Sequence, residues 1–307
     1  MWSERPHLSR AAERRADIDY LEGLLAQPST RLVPLWREQA LMHDAGGLAL
    51  PSLEHAKDLL ERSAELVFLG LIDDQAYFAA DISELGTPLD HPAFTGARLA
   101  GDARSILSQV SDREAELALY ARAILLWHAR HRHCSVCGRA TRPKDGGHSR
   151  LCPAPECKAQ HFPRTDPCVL VLVHDGEQCL LGRQASWPKG MYSALAGFVE
   201  PCEDLETAAA REVLEESGVE IGELHYFASQ PWPFPASLMI GFEAKPKTRD
   251  IHLNDAELED ARWFTRAELR AAAVVPRAEA PFFVPPLHSL AGRMLARFIA
   301  SEGGARF

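Results

Sequence analysis

The segment that most constrains the fold is GFVEPCEDLETAAAREVLEESGVE, residues 197–220, because it predicts a helix with its charges at the unfavourable end. A helix ends most stably at a glycine, here Gly218, with cations in its last turn to offset the negative end of the helix dipole. The last turns of this helix instead carry Glu212, Glu215 and Glu216. Like charges four residues apart destabilise a helix by roughly a few tenths of a kcal/mol. Such a cluster is stable where a cation lies among the carboxylates.

These glutamates are predicted to lie on one helical face, since residues three and four apart are neighbours on a helix. Mg²⁺ and Mn²⁺ prefer hard oxygen ligands of this kind and also bind diphosphate oxygens. A solvated acidic face is the alternative interpretation and the commoner origin of a charge run. Two features favour a functional site. The glycine loop at 195–204 brings backbone close to whatever the helix holds, and Arg211 stands where it can orient the carboxylate of Glu212.

The segment resembles the Nudix box at every fixed position of that motif, which are Gly197, Glu203, Arg211, Glu212, Val213, Glu215, Glu216, Gly218 and Val219. The resemblance implies a hydrolase that cleaves a nucleoside diphosphate linked to another moiety. It implies catalytic metal ligands at Glu212, Glu215, Glu216 and the backbone carbonyl of Ala196. It also implies that Glu203 and Arg211 orient those ligands. Whether Glu215 or Glu216 takes the proton of the attacking water stays open.

A second constraint is the spacing of four cysteines, Cys134, Cys137, Cys152 and Cys157. Two pairs with a long interval between them fit a tetrahedral Cys₄ zinc ribbon with no open ligand position, so the predicted zinc is structural. Gly138 and the Gly146-Gly147 pair allow the turns that such a site needs. The alternatives are four unrelated thiols, or one cysteine replaced by His133, His148 or His161. The remaining cysteines, Cys168, Cys179 and Cys202, are predicted to be ordinary buried or semi-buried thiols.

A zinc ribbon followed by a Nudix box, with SQPWPFPASLM at residues 229–239, resembles the NADH pyrophosphatase branch of the Nudix hydrolases. The prolines stiffen this stretch, and Trp232 and Phe234 offer flat faces to a heteroaromatic ring. A core loop whose aromatic rings only pack is the alternative. The resemblance implies substrate contacts from Gln230, Pro231, Trp232, Pro233, Phe234, Pro235, Ala236 and Ser237, and from Phe162, Phe198 and Ala291. It also implies a further metal ligand at Glu257, with Glu259 and Asp260 as rivals.

The predicted architecture is α/β (α+β). We expect an N-terminal α+β domain at residues 1–129, a Cys₄ zinc ribbon at 130–163, and a Nudix mixed-sheet α/β/α sandwich at 164–307. The first domain resembles the degenerate Nudix-like domain of that branch only in size and position. Helices are predicted at 52–64 (capped by Ser52), 111–131 (with a Ser111–Glu114 capping box), 265–273 and 288–301. Two strands around an Asp73-Asp74 turn are predicted at 65–82, and a hairpin with its turn at Asp175-Gly176 is predicted at 167–183. Further strands are predicted at 191–200, 224–230 and 237–244.

Composition limits the partners and the compartment. The formal net charge of −10 disfavours non-specific binding to nucleic acid or anionic membrane, although a local basic channel remains compatible with it. No apolar run is long enough to cross a membrane, and the N-terminal residues lack the apolar stretch of a secretory signal. Seven cysteines, four of them clustered, favour a metal site in a reducing cytoplasm.

The resemblance therefore implies Mg²⁺- or Mn²⁺-dependent hydrolysis of NADH or NAD⁺ to nicotinamide mononucleotide and AMP. It also implies that the protein is a homodimer. Removal of NAD caps from RNA would break the same bond. Hydrolysis of ADP-ribose or diadenosine polyphosphates is an alternative. A zinc-ribbon Nudix protein that only binds nucleotides as a sensor is another, but a sensor is expected to lose box glutamates, and none is lost here.

Overall fold

The computed structural model describes residues 8–101, 103–253, 257–277 and 279–301. The chain forms two compact units, Met1–Arg164 and Thr165–Phe307, and each is described by itself. Within the described residues, no helix combines the length and apolar character needed to cross a membrane.

Among its described residues, the first unit contains one five-stranded sheet, one three-stranded sheet and five α-helices. Its elements in chain order are α1 (Ile18–Leu25), β1 (Arg31–Trp36), β2 (Gln39–His43), α2 (Leu53–Ala56), α3 (Asp58–Glu61), β3 (Leu66–Ile72), β4 (Gln75–Asp81), β5 (Ala97–Leu99), α4 (Ile106–Gln109), α5 (Asp112–Arg130), β6 (Arg142–Lys144), β7 (Ser149–Leu151) and β8 (Gln160–His161). The larger sheet has the order β3-β4-β1-β2-β5, with β1 parallel to β4. The smaller sheet has the order β6-β7-β8 and carries the cysteine cluster.

Both faces of the larger sheet are buried. On one face, Val33 and Leu35 of β1 pack with α5. On the opposite face, Leu32 packs with α1, α2 and α3. The predicted capping box of α5 is confirmed, with the side chain of Glu114 bonded to the backbone N–H of Ser111. Side chains that alternate along a strand therefore support a helix layer on each side of it.

The helix predicted over 52–64 is interrupted. Its residues form α2 and α3, which meet at Lys57. Ser52 holds the predicted cap position, but its hydroxyl is bonded to Nδ1 of His55, 2.9 Å away, and does not cap the helix. A local side-chain bond has replaced the expected cap.

The second unit is built on one mixed sheet. Its elements are β9 (Asp166–His174), β10 (Gln178–Arg183), β11 (Leu195–Phe198), α6 (Leu205–Ser217), β12 (Ile221–Trp232), β13 (Ser237–Pro246), β14 (Asp260–Thr265), α7 (Arg266–Ala273) and α8 (Leu290–Ala300). The order is β12-β13-β9-β10-β14, and β11 also pairs with β9. β13 runs parallel to β9, whereas β10 and β11 run antiparallel to it.

The second unit is an α/β/α sandwich, as predicted. Val169, Val171 and Val173 on β9 pack with the α6 layer, and Leu170 and Leu172 pack with α7 and α8. Because β9 is buried on both faces, it reads in the sequence as a continuous apolar run with no alternation of polar residues. This strand is the common wall of both helix layers.

Candidate active site

The helix α6 holds the acidic cluster, and its ends explain its position. Asp204 caps the first turn by accepting a hydrogen bond from the backbone N–H of Thr207, and Gly218 ends the helix in a left-handed conformation with φ of 71°. Within the helix, Glu216 is buried at 2% exposure, and the side chains of Glu212 and Glu215 are 13% and 54% exposed. The three carboxylates therefore span a gradient from core to solvent.

Gly197 on β11 lies directly against Glu212. A methyl group on Gly197 would meet the Glu212 carboxyl carbon at 1.9 Å and its two oxygens at 2.0 and 2.1 Å. Because those distances are far below van der Waals contact, the Glu212 carboxylate can hold this position only while residue 197 has no side chain. The strand beside the helix is thus shaped around one glutamate, and the neighbouring Ala196 is held in register opposite Leu170 of β9.

Arg211 organises the loop and helix around this contact. Its Nε and one Nη donate to the two carboxylate oxygens of Glu203 at 2.8 Å each, and that Nη also donates to the carbonyl of Phe198 at 2.9 Å. The other Nη lies 2.9 Å from Glu212 and 2.9 Å from Glu215. This planar fork is geometry that lysine cannot supply.

The pKa values of the two partners shift in the directions expected for a tight pair. Hydrogen bonds from Arg211, and then from the backbone N–H of Glu200, lower the pKa of Glu203 to about 2. The hydrogen bonds to Glu203 are also the largest cause that raises the pKa of Arg211 above its ordinary value. Glu203 thus stays ionised and holds the arginine in place.

Arg211 does not neutralise all the negative charge around Glu212. Burial raises its pKa against the opposing effect of Arg211, and the charges of Glu215 and Glu257 raise it further. Cys168 on β9 senses the same field: burial first, and then the charges of Glu212, Glu216 and Glu257, raise its pKa to about 12. The charges of these carboxylates thus act on one region, and a divalent cation is a ligand that would relieve their repulsion. Among the described residues, only the cysteine cluster has all its ligand atoms within 4.8 Å of one another, so the structure does not draw the glutamates into a closed metal site.

The structure gives each of the three candidate ligands, Glu257, Glu259 and Asp260, a different hydrogen-bond partner. Glu259 accepts a hydrogen bond from Arg183, and Asp260 accepts one from the Tyr192 hydroxyl. Glu257 is exposed, accepts a hydrogen bond from the side-chain amide of Gln184 at 3.0 Å, and its negative charge raises the pKa of Glu212 and of Cys168. It remains our predicted additional ligand.

The 229–239 segment forms the end of the β12–β13 hairpin. The rings of Trp232 and Phe234 meet edge to face with centroids 5.0 Å apart, and both side chains are half-buried. The remaining predicted contacts occupy the strand ends and the turn, with Pro231 and Pro235 exposed, Ala236 half-buried, and Pro233 and Ser237 buried. The two rings form a partly open aromatic surface, which the predicted ring stacking requires.

Gln230 is held inside the fold. Its side chain is 1% exposed, and its Nε2 donates to the carbonyl of His288 at 2.8 Å. This bond ties β12 to the segment before α8, where Ala291 is buried in the first turn. The predicted substrate contacts of Gln230 and Ala291 would therefore come from backbone or from small exposed portions of these residues.

The two aromatic residues predicted to sandwich a base are both exposed. Phe198 ends β11 with 56% of its surface exposed and lies in the second unit, whereas Phe162 is 63% exposed and lies in the first unit. Each of the two rings is accessible to a ligand. That they stack on both faces of one base stays a prediction.

The four predicted zinc ligands come together in the first unit. The four sulfur atoms lie within 4.8 Å of one another, with Cys134 3.7 Å from Cys157 and Cys137 3.5 Å from Cys152. These thiols suit a tetrahedral zinc ion, which they would hold with no position left for substrate. Gly138 adopts a φ of 75° at the first knuckle, in the conformation predicted for it.

The neighbouring histidines and cysteines take other roles. His148 donates to the carbonyl of Phe68, and His161 lies 3.3 Å from the sulfur of Cys134 without replacing it in the cluster. Cys168 and Cys179 are buried as predicted. The prediction for Cys202 was wrong: it is exposed, because a left-handed φ of 68° turns the loop before α6 towards solvent.

Sequence reasoning overlooked Cys168 as a neighbour of the acidic cluster. The signal was its place in a strand paired with the glycine strand, where it stands opposite Phe198.

Three family models match the chain. They are the NUDIX domain at residues 164–283, the NADH pyrophosphatase zinc ribbon domain at 129–162, and the NADH pyrophosphatase-like rudimentary NUDIX domain at 29–127. The first two cover the acidic helix and the cysteine cluster. The third covers the larger sheet of the first unit.

Curated relatives are similar to this chain over 63% or more of its length. The NAD-capped RNA hydrolase NudC of Mycobacterium bovis (strain BCG / Pasteur 1173P2) is 34% identical over 97% of this chain and 96% of its own length. The NAD(P)H pyrophosphatase NUDT13, mitochondrial, of Homo sapiens is 36% identical over 79% of this chain and 73% of its own. The NAD-capped RNA hydrolase NUDT12 of Homo sapiens is 43% identical over 63% of this chain, which spans only 43% of that relative's length.

Proposed function

Since this chain belongs to the Nudix hydrolases, in the branch with a NADH pyrophosphatase zinc ribbon, we propose that it hydrolyses the diphosphate bond of NADH or NAD⁺. The products are nicotinamide mononucleotide, reduced or oxidised, and AMP. The observation that carries the proposal is the contact of Gly197 with Glu212, because it places a box carboxylate directly against the strand that contains Ala196.

The predicted metal ligands are oxygen donors, which divalent cations such as Mg²⁺ and Mn²⁺ prefer. Nudix hydrolases use Mg²⁺ or Mn²⁺, and the residues that would hold it here are Glu212, Glu215, Glu216, Glu257 and the Ala196 carbonyl. A cation held by these residues would neutralise charge on the diphosphate and lower the pKa of the attacking water. The excess negative charge around Glu212, expressed in its raised pKa, is the feature of this structure that matches that requirement.

The chain's own groups divide the remaining work. Glu203 and Arg211 fix the orientation of the carboxylates, since second-layer contacts orient ligands as much as the ligands themselves bind. Glu215 or Glu216 accepts the proton as the oxygen of water bonds to phosphorus and the bridging P–O bond breaks. The edge-to-face pair of Trp232 and Phe234 offers a surface for one ring of the dinucleotide.

A second substrate of the same site is the NAD cap of RNA, which contains the same diphosphate bond. It is favoured by the names of two relatives, NudC and NUDT12, both NAD-capped RNA hydrolases. ADP-ribose and diadenosine polyphosphates are the competing substrates. A sensor without catalysis is disfavoured because every box glutamate is present.

A substrate panel tests the proposal. NADH, NAD⁺, NAD-capped RNA, ADP-ribose and diadenosine tetraphosphate are incubated with Mg²⁺ or Mn²⁺, and the products are resolved by chromatography. We expect mononucleotide and AMP from NADH or NAD⁺, with the highest kcat/KM among the small molecules. Cleavage of ADP-ribose alone would reject the dinucleotide assignment, and cleavage of none would favour the sensor.

The aromatic surface is tested separately with Trp232→Ala. Base–aromatic stacking is worth about 1–3 kcal/mol, so kcat/KM for NADH should fall roughly ten- to a hundredfold. Hydrolysis of a non-aromatic diphosphate should be little changed. Equal losses for both substrates, together with a lower melting temperature, would mean that the ring only packs.

We also propose that the protein is a homodimer and works in the cytoplasm. The dimer rests on the branch to which the chain belongs, and light scattering after size-exclusion chromatography would refute it by returning the monomer mass of 33.9 kDa. The compartment is supported by seven free thiols, four of them in the zinc cluster, which a reducing environment preserves. Cell fractionation with an antibody against the protein tests it.

A further inference from the structure

The first unit contains a cavity beside the larger sheet, bordered by the β1–β2 turn, the end of β4 and the last turns of α5. Its volume is about 230 Å³. Part of its lining is apolar, because Leu35 of β1 and Leu125 and Leu126 of α5 border it. At roughly 30 Å³ for each water molecule, the cavity holds about eight water-sized groups. It therefore suits a small ligand and not a whole dinucleotide.

Three arginines from different elements line the same cavity. Arg37 belongs to the β1–β2 turn, Arg122 to α5, and Arg132 to the segment just after α5. Arg122 is paired with Glu38, whose carboxylate lies 2.7 Å from its Nη2. Arg37 and Arg132 are exposed, and neither has a carboxylate partner within the part of the chain that the structure describes. Two guanidinium groups are therefore available to an anion.

The two acids that line the cavity are already engaged. Glu38 accepts the hydrogen bond from Arg122, and Asp81 accepts hydrogen bonds from the backbone N–H and the hydroxyl of Ser83. The Ser83 hydroxyl accepts a bond of 2.9 Å from the backbone N–H of Arg37, which ties the β1–β2 turn to the end of β4. Three arginines against two acids leave a positive charge at the cavity, although the whole chain has a net charge of −10.

The β1–β2 turn holds its charged side chains in an unfavourable backbone conformation. Arg37 and Glu38 have φ of 50° and 67°, in the left-handed region. Two-residue hairpin turns of this kind favour Asn, Asp and Gly, and the β3–β4 turn accordingly uses Asp73 and Asp74. Long side chains in a conformation that favours short ones indicate that the turn serves more than the connection of two strands.

We propose that this cavity binds a small phosphomonoester, with its phosphate group against Arg37 and Arg132 and its carbon part against the leucines. The planar fork of a guanidinium matches the geometry of phosphate oxygens, and the apolar part of the lining favours a ligand with a carbon body. Inorganic phosphate offers the same oxygens without that body, so it is the competing ligand. The cavity lies within the first unit, and the inference is independent of the proposed function.

The test is a calorimetric titration of the full zinc-loaded chain with glycerol 3-phosphate, inorganic phosphate or glycerol, without added Mg²⁺ or Mn²⁺. The variant R37Q/R132Q removes the two available guanidinium groups. The matched control, R62Q/R130Q, removes two exposed arginines of the same unit that do not line the cavity. Zinc content is measured for each protein because Arg132 is close to Cys134 in the sequence, and R37Q alone replaces the double variant if zinc is lost.

We expect saturable binding of glycerol 3-phosphate to the wild type and to the control, tighter than that of inorganic phosphate, and no binding of glycerol. The loss of one charge-assisted contact weakens binding about tenfold, so R37Q should bind glycerol 3-phosphate about tenfold more weakly than the wild type. For R37Q/R132Q the affinity should fall about a hundredfold.

Three results would overturn the inference: no binding of glycerol 3-phosphate to the wild type, undiminished binding to R37Q/R132Q, or an equal loss in R62Q/R130Q. Equal affinity of the wild type for inorganic phosphate would overturn the assignment of a phosphomonoester in favour of the free anion. Each of these results leaves the diphosphatase proposal intact, because that proposal concerns residues of the second unit.

Discussion

Replacing Gly197 with alanine should displace the Glu212 carboxylate and reduce catalysis while the rest of the fold stays intact. The new methyl group would lie 1.9 Å from the carboxyl carbon of Glu212, whereas carbon atoms in contact stand about 3.5 Å apart. The carboxylate must therefore move by about 1.5 Å. Because a misplacement of about 1 Å in a reacting constellation can reduce the rate on the order of a hundredfold, kcat/KM for NADH should fall at least that far.

The effect on stability should be modest. Forced overpacking costs about 1–3 kcal/mol, and exchanging glycine for alanine in a strand returns about 0.5–1 kcal/mol. Urea unfolding of the wild type, G197A, E212A and G197A/E212A forms a double-mutant cycle. Removing the Glu212 carboxylate removes the clash, so G197A should destabilise the wild type but not the E212A background.

The control is Gly86→Ala, where no atom lies within 4 Å of the added methyl group, so activity and stability should both be retained. Two results would refute the reasoning: a G197A protein as active as the wild type, or the same loss of stability in both backgrounds. The first would mean that the glutamate is displaced without consequence. The second would mean that the strain lies elsewhere than at Glu212.

Three further predictions concern chemistry, metal and pH. Glu216→Gln should lower kcat by several orders of magnitude while the circular dichroism spectrum stays native, because the exchange keeps the shape of a residue that is 2% exposed and removes its charge; a fully active variant would exclude it as ligand and base. Purified protein should contain about one tightly bound zinc per chain by elemental analysis, and Cys152→Ser should lose it and lower the melting temperature. Burial, against the bond to the Phe68 carbonyl, lowers the pKa of His148 to about 4 from 6.5, so wild-type stability should decline as pH falls from 6.5 towards 4, and His148→Gln should flatten that decline in a pH series of urea melts.

The acidic helix was predictable because its signals are local. The capping aspartate, the helical spacing of the glutamates and the terminal glycine all act within one element, and α6 ends at Gly218 as expected. The hairpin at Asp175-Gly176 and the capping box of α5 were predictable for the same reason.

Features that depend on distant residues were not predictable in this way. The apolar run of β9 does not reveal which residues face which helix layer, or that β13 runs parallel beside it. The hydrogen-bond partners of the candidate ligands Glu257, Glu259 and Asp260 lie more than 60 residues away in the sequence and are brought near only by the folded chain. The burial of Gln230 likewise depends on the later segment at His288.

The double burial of β9 ties the accuracy of catalysis to the quality of the hydrophobic core. Ala196 pairs with Leu170, and Gly197, which leaves room for the Glu212 carboxylate, pairs with Val169. The side chains of Leu170 and Val169 point into opposite cores. A sliding error of one residue would exchange the contents of both cores, so the register is under far stronger restraint than any surface loop could provide. Conversely, a substitution that opens a cavity in either core would shift β9 and with it the Ala196 carbonyl, although no glutamate is changed. Loss of activity in a random mutant library should therefore map as densely onto the apolar partners of β9 as onto the acidic helix.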